Sequence, residues 1–431
     1  MRFESKLLHS NQPLESHGAR ANSITPTAAY LYPSTAQANS TFSGETPGYV
    51  YSRGHNPTNS VFEARICDLE GGKAAISVNS GLAAQFTALS ALVVPGDNII
   101  SSGFLFGGSL LQLRDNFRGF GVETRFVTSL EIEDYEKLID DRTRCIIIDS
   151  ISNPAYLVAD IKKFSDLCKK YQIPLVVDNT LGCGGYLIRP IDHGADIVIH
   201  SATKWIGGHG TTLAGVFIDA GSFKWSEATK FTKLCDPQFG SKGKSYVELH
   251  GDNAYVKHCR SSGIMLQSAT LNPFGAWLLL QGLETLSVRV DRECENAVKL
   301  ATYLKNSPFV KWVSYLGFED HETHELSKKY LNGPYFGSCI SFAIKDESGA
   351  DIVESNSAKV IDNLKIISNT VNLGDAKTLI CIPHISTNRG TQGEYNESVG
   401  IDSDLIRISV GIEHIDDLIG DLEQAFKTVF A

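Results

Sequence analysis

Between residues 74 and 219 the chain repeats a short apolar run followed by a segment with helical periodicity. The apolar runs predict strands at 75–78, 98–102, 122–127, 145–149, 174–178, 196–200 and 214–218. The intervening segments predict helices at about 82–93, 108–118, 131–140 and 160–171. This alternation predicts an α/β fold with a mostly parallel sheet that is covered by helices on both faces.

The flanking regions have different patterns. Residues 1–45 are rich in Ser, Thr, Asn and Pro with weak periodicity, which predicts an extended N-terminal arm. A helix is predicted to start after Asn56, with Pro57 in its first turn, and to end at Gly71. The stretch 220–262 is irregular and is interpreted as the boundary of the large domain, which then spans 46–262.

Residues 263–431 predict a smaller α+β domain. Helical periodicity runs from Phe274 to Leu304 as one long predicted helix, and apolar runs at 339–344, 378–382 and 405–410 predict strands. A closing helix is predicted from Ile415 to Val429.

Composition narrows the class of protein. The 431 residues are 42% hydrophobic and 20% charged, with a formal net charge of −10 and no basic stripe, which argues against nucleic acid as a partner. The nine cysteines are scattered and odd in number, as is usual in a reducing compartment. The N-terminus has no apolar signal core and no run of about 18 apolar residues occurs, so we expect a cytoplasmic protein without a membrane anchor.

The stretch 196–211 carries the most informative candidate chemistry. It runs from a β-branched apolar segment into Ser-Ala-Thr-Lys204 and then into glycines, so Lys204 is predicted to lie where a buried strand ends. Ser201 and Thr203 provide hydroxyl groups that suit a phosphate, and apolar neighbours would lower the pKa of the amine. An arbitrary lysine is far more often a solvated surface residue, so further features are needed.

Four such features follow predicted strands, where a doubly wound sheet places its ligands. Ser80-Gly81-Leu82 opens a helix whose N–H groups would bind a phosphate. Phe106 could stack on a planar ring, although a core phenylalanine is about as plausible. Asn153 follows the strand that ends at Asp149. Asp178 ends a buried strand and needs a cation, for which an internal Arg or Lys would serve as well as a protonated pyridine nitrogen.

Together these features match the requirements of pyridoxal 5'-phosphate (PLP). Its aldehyde forms a Schiff base with a lysine, and its ring acts as an electron sink when an acid partners the ring nitrogen. Two other interpretations are weaker. Ser201-Ala-Thr-Lys204 satisfies the Ser-x-x-Lys motif of penicillin-binding enzymes but follows a strand and lacks the partner motifs. His193, His200 and His209 show no recognised zinc spacing, so no metal site is predicted.

The sequence resembles the Cys/Met-metabolism family of PLP-dependent enzymes, which have the type I aminotransferase-like fold. The resemblance runs from about Leu7 to the C-terminus and is closest to the O-acetylhomoserine sulfhydrylase group of that family. The matching motifs are 51–58 (Tyr-Ser-Arg-Gly-His-Asn-Pro-Thr), 178–186 (Asp-Asn-Thr-Leu-Gly-Cys-Gly-Gly-Tyr), the Lys204 stretch, 281–286 (Gln-Gly-Leu-Glu-Thr-Leu) and 372–377 (Asn-Leu-Gly-Asp-Ala-Lys).

The resemblance implies a role for each matching residue. Lys204 would carry the cofactor and move protons on the substrate, and Asp178 would pair with the ring nitrogen. The other implied cofactor contacts are Asn153 with the phenolic oxygen, Gly81, Leu82, Ser201 and Thr203 with the phosphate, and Phe106 with the ring. Tyr51 and Arg53 would reach the phosphate of a neighbouring subunit, so that sites are shared across a dimer, usually within a tetramer. Arg407 would clamp the substrate carboxylate, with Asn372 beside it.

The implied reaction is γ-replacement, in which sulfide or a small thiol displaces acetate from O-acetyl-L-homoserine to give homocysteine or a thioether. The sequence departs from the family pattern at Phe106, where tyrosine is usual, and at Leu82, where methionine is common. The loss of the hydroxyl at Phe106 keeps a γ-lyase, a cystathionine γ-synthase-like enzyme and a specialised biosynthetic γ-substitution enzyme as alternatives. A non-catalytic PLP carrier is the alternative of another class.

Overall fold

The computed structural model describes residues 1–13, 18–238, 242–346, 349–391 and 394–431. A seven-stranded sheet forms the larger part. Its strands are β1 (Ala74–Val78), β2 (Asn98–Ser102), β3 (Glu123–Val127), β4 (Thr143–Asp149), β5 (Leu175–Asp178), β6 (Ile197–His200) and β7 (Gly215–Asp219). Each predicted strand of this sheet is confirmed, and its ends lie within two residues of the predicted ends.

The strand order is β1-β7-β6-β5-β4-β2-β3, which confirms a mostly parallel sheet. Strands β2 to β6 pair in parallel, while β7 runs antiparallel between β6 and β1. Both faces are covered. Ile147, Val176 and Ile199 pack into one hydrophobic cluster, whereas Ile146 and Val177 pack into the cluster on the opposite face. Burial on both faces explains why the strands are continuously apolar.

The second sheet has five strands: β8 (Val310–Ser314), β9 (Cys339–Ile344), β10 (Ser368–Asn369), β11 (Leu379–Cys381) and β12 (Ile406–Ser409). Their order is β10-β11-β12-β9-β8, and only β10 and β11 pair in parallel. The helix Ile415–Val429 buries Leu418, Leu422 and Phe426 against this sheet, as its apolar stripe predicts. The proposed domain boundaries at 45/46 and 262/263 stay predictions.

The helices surround both sheets. The α-helices in the described residues are Phe3–His9, Thr35–Phe42, Pro57–Glu70, Gly81–Ser90, Gly107–Leu111, Ile132–Glu136, Ile161–Lys170, Thr232–Cys235, Tyr246–His250, Ala254–His258, Pro273–Glu284, Leu286–Asn306, His324–Tyr330, Asn356–Asp362, Glu394–Ser398 and Ile415–Val429. Two π-helical segments occur at Gln112–Phe117 and Cys259–Leu266. No helix among the described residues is both long and apolar enough to span a membrane.

Local signals set the ends of the helix Pro57–Glu70. The Asn56 side chain accepts a 2.9 Å hydrogen bond from the Thr58 N–H, and Pro57 occupies the first turn, where its missing N–H is harmless. Gly71 ends the helix with φ of +76°, a left-handed conformation that favours glycine. The predicted boundaries of this helix are confirmed.

Two predictions were wrong. The N-terminal arm contains the helices Phe3–His9 and Thr35–Phe42, the first of which packs against Pro57–Glu70. The single long helix predicted from 274 to 304 is two helices that meet at Thr285. The predicted helical segment 108–118 is confirmed, and the structure adds that it changes from α to π geometry after Leu111.

Packing explains the break at Thr285. Arg289 is buried, and its guanidinium donates to the carbonyl of Gly282 at 2.8 Å and to the carbonyl of Trp205 at 2.9 Å. Its Nε also donates to the Thr285 hydroxyl at 3.2 Å. The end of the first helix is therefore satisfied by a side chain of the second, a tertiary contact that hydrophobic periodicity does not encode.

Candidate active site

The predicted site residues of the large sheet converge at its carboxyl edge. Asp178 is the last residue of β5, and Lys204 lies in the turn that follows β6. Asn153 follows β4, and Phe106 follows β2 at the start of the helix Gly107–Leu111. Because the ends of neighbouring parallel strands meet at one edge, residues 98 positions apart in sequence, from Phe106 to Lys204, are gathered there.

Lys204 is half-buried, and in the part of the chain that the structure describes its amine forms one hydrogen bond. Its Nζ donates a 2.5 Å hydrogen bond to the side-chain oxygen of Asn372, which the five-stranded part of the chain supplies. The loop that carries Asn372 is held close because Gly374, at φ of +64°, packs directly on Trp205; a β-carbon there would lie 2.5 Å from the indole. Gly374 N–H also donates to the Ser409 hydroxyl at 2.9 Å, which ties the loop to β12.

Burial, with a smaller contribution from the positive charge of Arg407, lowers the pKa of Lys204 to about 8. Both causes disfavour the ammonium form. Near physiological pH a lysine with this pKa has a much larger neutral fraction than a solvated surface lysine, which makes it a better nucleophile and base.

Arg407 is buried in β12, and its guanidinium bridges three segments. It donates to the Asn153 side-chain oxygen at 3.3 Å, to the Val371 carbonyl at 2.9 Å and to the Asn372 carbonyl at 3.3 Å. A single chain of contacts therefore connects Lys204 to Asn372, Asn372 to Arg407 and Arg407 to Asn153. The structure brings these four predicted site residues together.

Asp178 receives two hydrogen bonds at one carboxylate oxygen. The Thr180 hydroxyl donates to Oδ1 at 2.6 Å and the Thr180 N–H donates at 2.9 Å. Burial raises the pKa of Asp178, and the hydrogen bonds from Thr180 and the charge of His200 oppose that effect. Neither Arg nor Lys forms an ion pair with Asp178 among the described residues, so the internal cation that the sequence allowed is not its partner. An acid whose donors occupy only one oxygen fits a protonated ring nitrogen at the other.

The segment around Gly81 has the geometry of a phosphate cradle. The Ser80 hydroxyl caps the helix Gly81–Ser90 by accepting from Ala83 N–H at 3.2 Å. That cap leaves the N–H groups of Gly81 and Leu82 at the positive end of the helix dipole. A β-carbon on Gly81 would lie 2.7 Å from the Ser201 β-carbon, so only glycine admits this approach. This geometry suits an anion, and the predicted contact of Gly81 and Leu82 with a cofactor phosphate stays a prediction.

The two hydroxyls beside Lys204 differ in their surroundings. Ser201 N–H donates to the Thr180 hydroxyl at 2.9 Å, which couples the Lys204 turn to the Asp178 turn. Thr203 Oγ1 accepts from Ala214 N–H at 2.9 Å and donates to the Ala214 carbonyl at 3.1 Å. Thr203 thus fixes the turn through its hydroxyl, and its predicted contact with a phosphate stays a prediction.

The remaining predicted residues are more exposed. Phe106 and Leu82 are 36% and 37% exposed at the carboxyl edge. Tyr51 is 41% exposed, and the Arg53 guanidinium carbon lies 5.1 Å from the centre of its ring. The Arg53 carbonyl accepts from Thr270 at 2.8 Å, and Thr270 bridges to Val78 at the end of β1. Tyr51 and Arg53 therefore present a cation and a phenol on the surface near this edge.

The alternative chemistries have no support in the local structure. Ser201 follows a strand in a turn and does not open a helix, as a Ser-x-x-Lys nucleophile would. His200 contacts Glu70, His193 packs edge-on against Tyr330, and His209 contacts the Gly207 carbonyl. Within the ranges that the structure describes, no group of three His, Cys, Asp or Glu side chains could hold a metal ion.

Two residues of the site escaped the sequence reasoning. Thr180 orients both Asp178 and Ser201. The sequence feature that could have identified it is a hydroxyl residue two positions after an acid at the end of a strand. Asp149 closes the apolar strand β4 and pairs in register with Asp178 on β5. The sequence feature that could have identified Asp149 is the one that identified Asp178, a carboxylate at the end of a buried apolar strand.

Comparison with known proteins gives a consistent answer. The model of the family described as Cys/Met metabolism PLP-dependent enzyme matches residues 4–427. The chain is 46% identical to homocysteine/cysteine synthase of Saccharomyces cerevisiae, over 100% of this chain and 98% of the yeast protein. It is 39% identical to O-acetyl-L-homoserine sulfhydrylase 1 of Thermus thermophilus, over 99% of this chain and 100% of that protein.

A solved structure from Campylobacter jejuni, named as an O-acetylhomoserine (thiol)-lyase and carrying a pyridoxyl-lysine, superposes with a TM-score of 0.93. It is 32% identical and the alignment covers 99% of this chain and 100% of that one. The fold, the lysine at the carboxyl edge and these similarities define a PLP-dependent enzyme. The chain belongs to the Cys/Met metabolism family of PLP-dependent enzymes.

Proposed function

We propose that this enzyme catalyses γ-replacement on O-acetyl-L-homoserine, in which sulfide or a small thiol displaces acetate and homocysteine or a thioether is formed. The observation that carries the proposal is the contact chain from Lys204 through Asn372 to Arg407. This chain places an amine of lowered pKa beside a buried guanidinium. An enzyme that acts on an α-amino acid requires both groups, a base for the α-proton and a cation for the α-carboxylate. The relatives named for homocysteine synthesis and O-acetylhomoserine sulfhydrylation support the same reaction.

In this proposal each residue acts at a stated atom of the substrate. Arg407 binds the α-carboxylate through two N–H groups, and the side chain of Asn372 positions that carboxylate. The Lys204 amine, which is held at the edge of the site and is neutral above pH about 8, removes the α-proton, would pass it to the bound cofactor and then removes a β-proton, so that acetate leaves with the electron pair of the Cγ–O bond. After the thiol has added at the γ-carbon, the same amine returns a proton to the β-carbon, and a proton then returns to the α-carbon. The bound PLP supplies the electron sink that allows the γ-substituent to leave.

The same proposal assigns the cofactor contacts. Asp178 holds the ring nitrogen, and Asn153 the phenolic oxygen. The backbone N–H groups of Gly81 and Leu82, with Ser201 and Thr203, hold the phosphate, and Phe106 stacks on the ring. Acetate suits a site with Phe106 at this position, since an ester oxygen leaves as a stabilised carboxylate and requires less help from a proton donor than a thiolate does.

The proposed assembly is a homotetramer in which pairs of subunits share their active sites. The support is the exposed pair Tyr51 and Arg53, a phenol and a guanidinium that no acid of the described chain neutralises by an ion pair. Light scattering of the wild-type protein and of Arg53→Ala, combined with PLP affinity, would test the shared site. Loss of PLP affinity without loss of the oligomer is the expected result.

A cytoplasmic location is proposed from the nine free cysteines, eight of which are buried thiols.

The test of the reaction uses the purified, PLP-loaded enzyme with O-acetyl-L-homoserine. Acetate, homocysteine and 2-oxobutyrate are measured together, with and without sulfide. Homocysteine that forms only with sulfide supports γ-replacement. 2-Oxobutyrate as the main product in both conditions would move the enzyme to the lyases, and no turnover of this ester would reject the substrate while leaving the PLP chemistry intact.

A further inference from the structure

A second carboxyl group lies beside Asp178. Asp149 ends the buried strand β4, and it is the direct partner of Asp178 in the parallel pairing of β4 with β5. Paired residues of adjacent strands project from the same face, about 5 Å apart. Ile147 and Val176, two residues earlier in each strand, both pack into one hydrophobic cluster, which fixes the face to which Asp149 and Asp178 belong.

The two carboxyl groups have unequal surroundings. Asp178 accepts two hydrogen bonds from Thr180, which favour its ionised form. The carboxyl group of Asp149 accepts a hydrogen bond from the backbone N–H of Phe106. Burial and the neighbouring charge of Asp178 raise the pKa of Asp149 well above its usual range.

The other charged groups near the pair do not reverse this difference. His200, on β6, favours the anion of Asp178, Lys204 lies in the turn after β6, and Arg407 lies in β12 of the second sheet. Among the described residues, Asp178 is the charged group that acts on the carboxyl group of Asp149. Two adjacent carboxylates in a partly buried site cannot both ionise at low cost, so one of the pair retains a proton.

We propose that Asp149 is a positioning residue that remains a neutral carboxylic acid beside Asp178, so that the single negative charge of the pair stays on Asp178, opposite the ring nitrogen of PLP. The inference rests on the proposed role of Asp178 and deepens it. The hydrogen bond from Phe106 adds a second effect, because Asp149 then also fixes the backbone of the residue that stacks on the ring. Asp149 acts through Asp178 and Phe106 and does not touch the substrate.

The test compares the wild-type holoenzyme with Asp149→Asn by infrared difference spectroscopy at neutral pH. Asparagine has nearly the same shape and keeps an acceptor for the Phe106 N–H, so the fold is preserved. The expected difference spectrum contains the carbonyl stretch of a protonated carboxylic acid, which shifts in D2O. The matched control is Asp192→Asn, which removes an exposed aspartate paired with Arg189 and is expected to show only carboxylate bands.

Cofactor affinity gives the second readout. Asp149→Asn is expected to leave the PLP dissociation constant nearly unchanged, since it replaces one neutral group with another. Asp178→Asn is expected to weaken PLP binding roughly 10- to 100-fold, as the loss of one charge-assisted hydrogen bond implies.

Two results would overturn the inference: loss of carboxylate bands in Asp149→Asn, or a fall in PLP affinity as large as that of Asp178→Asn. Both measurements require only bound PLP. A holoenzyme that does not turn over O-acetyl-L-homoserine would therefore reject the proposed reaction without affecting the result for Asp149. Circular dichroism and thermal melting of each variant identify any loss of fold.

Discussion

Nζ of Lys204 donates a 2.5 Å hydrogen bond to the side chain of Asn372, across 168 positions of the chain. The contact joins the turn after β6 of the large sheet to the loop between β10 and β11 of the small one. It places the candidate nucleophile at the junction of the two sheets, where Arg407 also reaches. The chemistry of the lysine is therefore set by residues distant in sequence.

Removal of the amine tests the central assignment. Lys204→Ala is expected to abolish the visible absorption band of lysine-bound PLP and to reduce turnover by several orders of magnitude, because no other nucleophile replaces the amine. Absorption spectra after PLP loading, followed by borohydride reduction and peptide mapping, measure the covalent link. Lys377→Ala removes an exposed lysine of the neighbouring loop and should retain both the band and the activity. A normal band in Lys204→Ala would assign the link to another lysine.

The protonation of Lys204 predicts a pH dependence. Since its pKa is lowered to about 8, the rate of PLP incorporation into the apoenzyme should rise about tenfold per pH unit below 8 and level off above it. Arg407→Gln removes a repelling charge and should raise the midpoint. Asn372→Ala removes an acceptor that stabilises the ammonium form and should lower it. Stopped-flow absorbance between pH 6 and about 10 measures the profile, and midpoints that do not move in either variant would contradict this account.

The lowered pKa of Lys204 also has a consequence for stability. In the unfolded chain Lys204 keeps its proton up to the ordinary lysine pKa of 10.5, whereas the folded apoenzyme releases it near 8. Between these values the unfolded state binds more protons, so the contribution of Lys204 makes the folded apoenzyme more stable as the pH rises. Urea unfolding of the wild-type apoenzyme and of apo Lys204→Met at pH 7.5 and about 9.5 gives the free energy of unfolding of each protein. The difference in this free energy between the two proteins should be smaller at the higher pH.

Arg407 should be sensitive even to a change that keeps its charge. Arg407→Lys loses the planar two-point geometry and is expected to lower kcat/KM for the amino-acid substrate roughly 10- to 100-fold, mostly through KM. PLP binding should change less than KM, because lysine keeps the positive charge and Arg407 reaches the cofactor region only indirectly, through Asn153 and Asn372. Arg292→Lys, at an exposed ion pair with Glu295, is the control. An unchanged KM in Arg407→Lys would remove Arg407 from the carboxylate site.

The close approach of Gly81 to Ser201 predicts a defect in phosphate binding. A β-carbon at Gly81 would lie 2.7 Å from the Ser201 β-carbon, so Gly81→Ala should displace the helix N-terminus and lower PLP affinity. Excess PLP should restore part of the activity. Gly420→Ala provides the control, since its added β-carbon meets no atom within 4 Å in an ordinary helix. Equal PLP affinity in the two variants would contradict the phosphate cradle.

The sequence was sufficient where local chemistry controls the structure. The boundaries of the helix Pro57–Glu70 follow from an Asn cap, an early proline and a left-handed glycine. The strands of the large sheet were predicted within two residues because they are buried on both faces and so remain apolar throughout. The long helix was predicted wrongly because it is interrupted at Thr285, where Arg289 donates to the carbonyl of Gly282 in the preceding helix and to that of Trp205 in a distant segment.

The sequence by itself determined the alternation of strands and helices, and through it the edge of the sheet at which Asp178, Asn153, Phe106 and Lys204 meet. The tertiary structure alone decided what these residues touch. Thr180 rather than a cation satisfies Asp178, and Asn372 receives the Lys204 amine. It also decided that Asp149 lies beside Asp178, since strand register is not encoded by either strand alone. The local order of apolar, polar and turn-forming residues predicts burial and backbone geometry. The partners of a buried charge depend instead on how distant segments pack together.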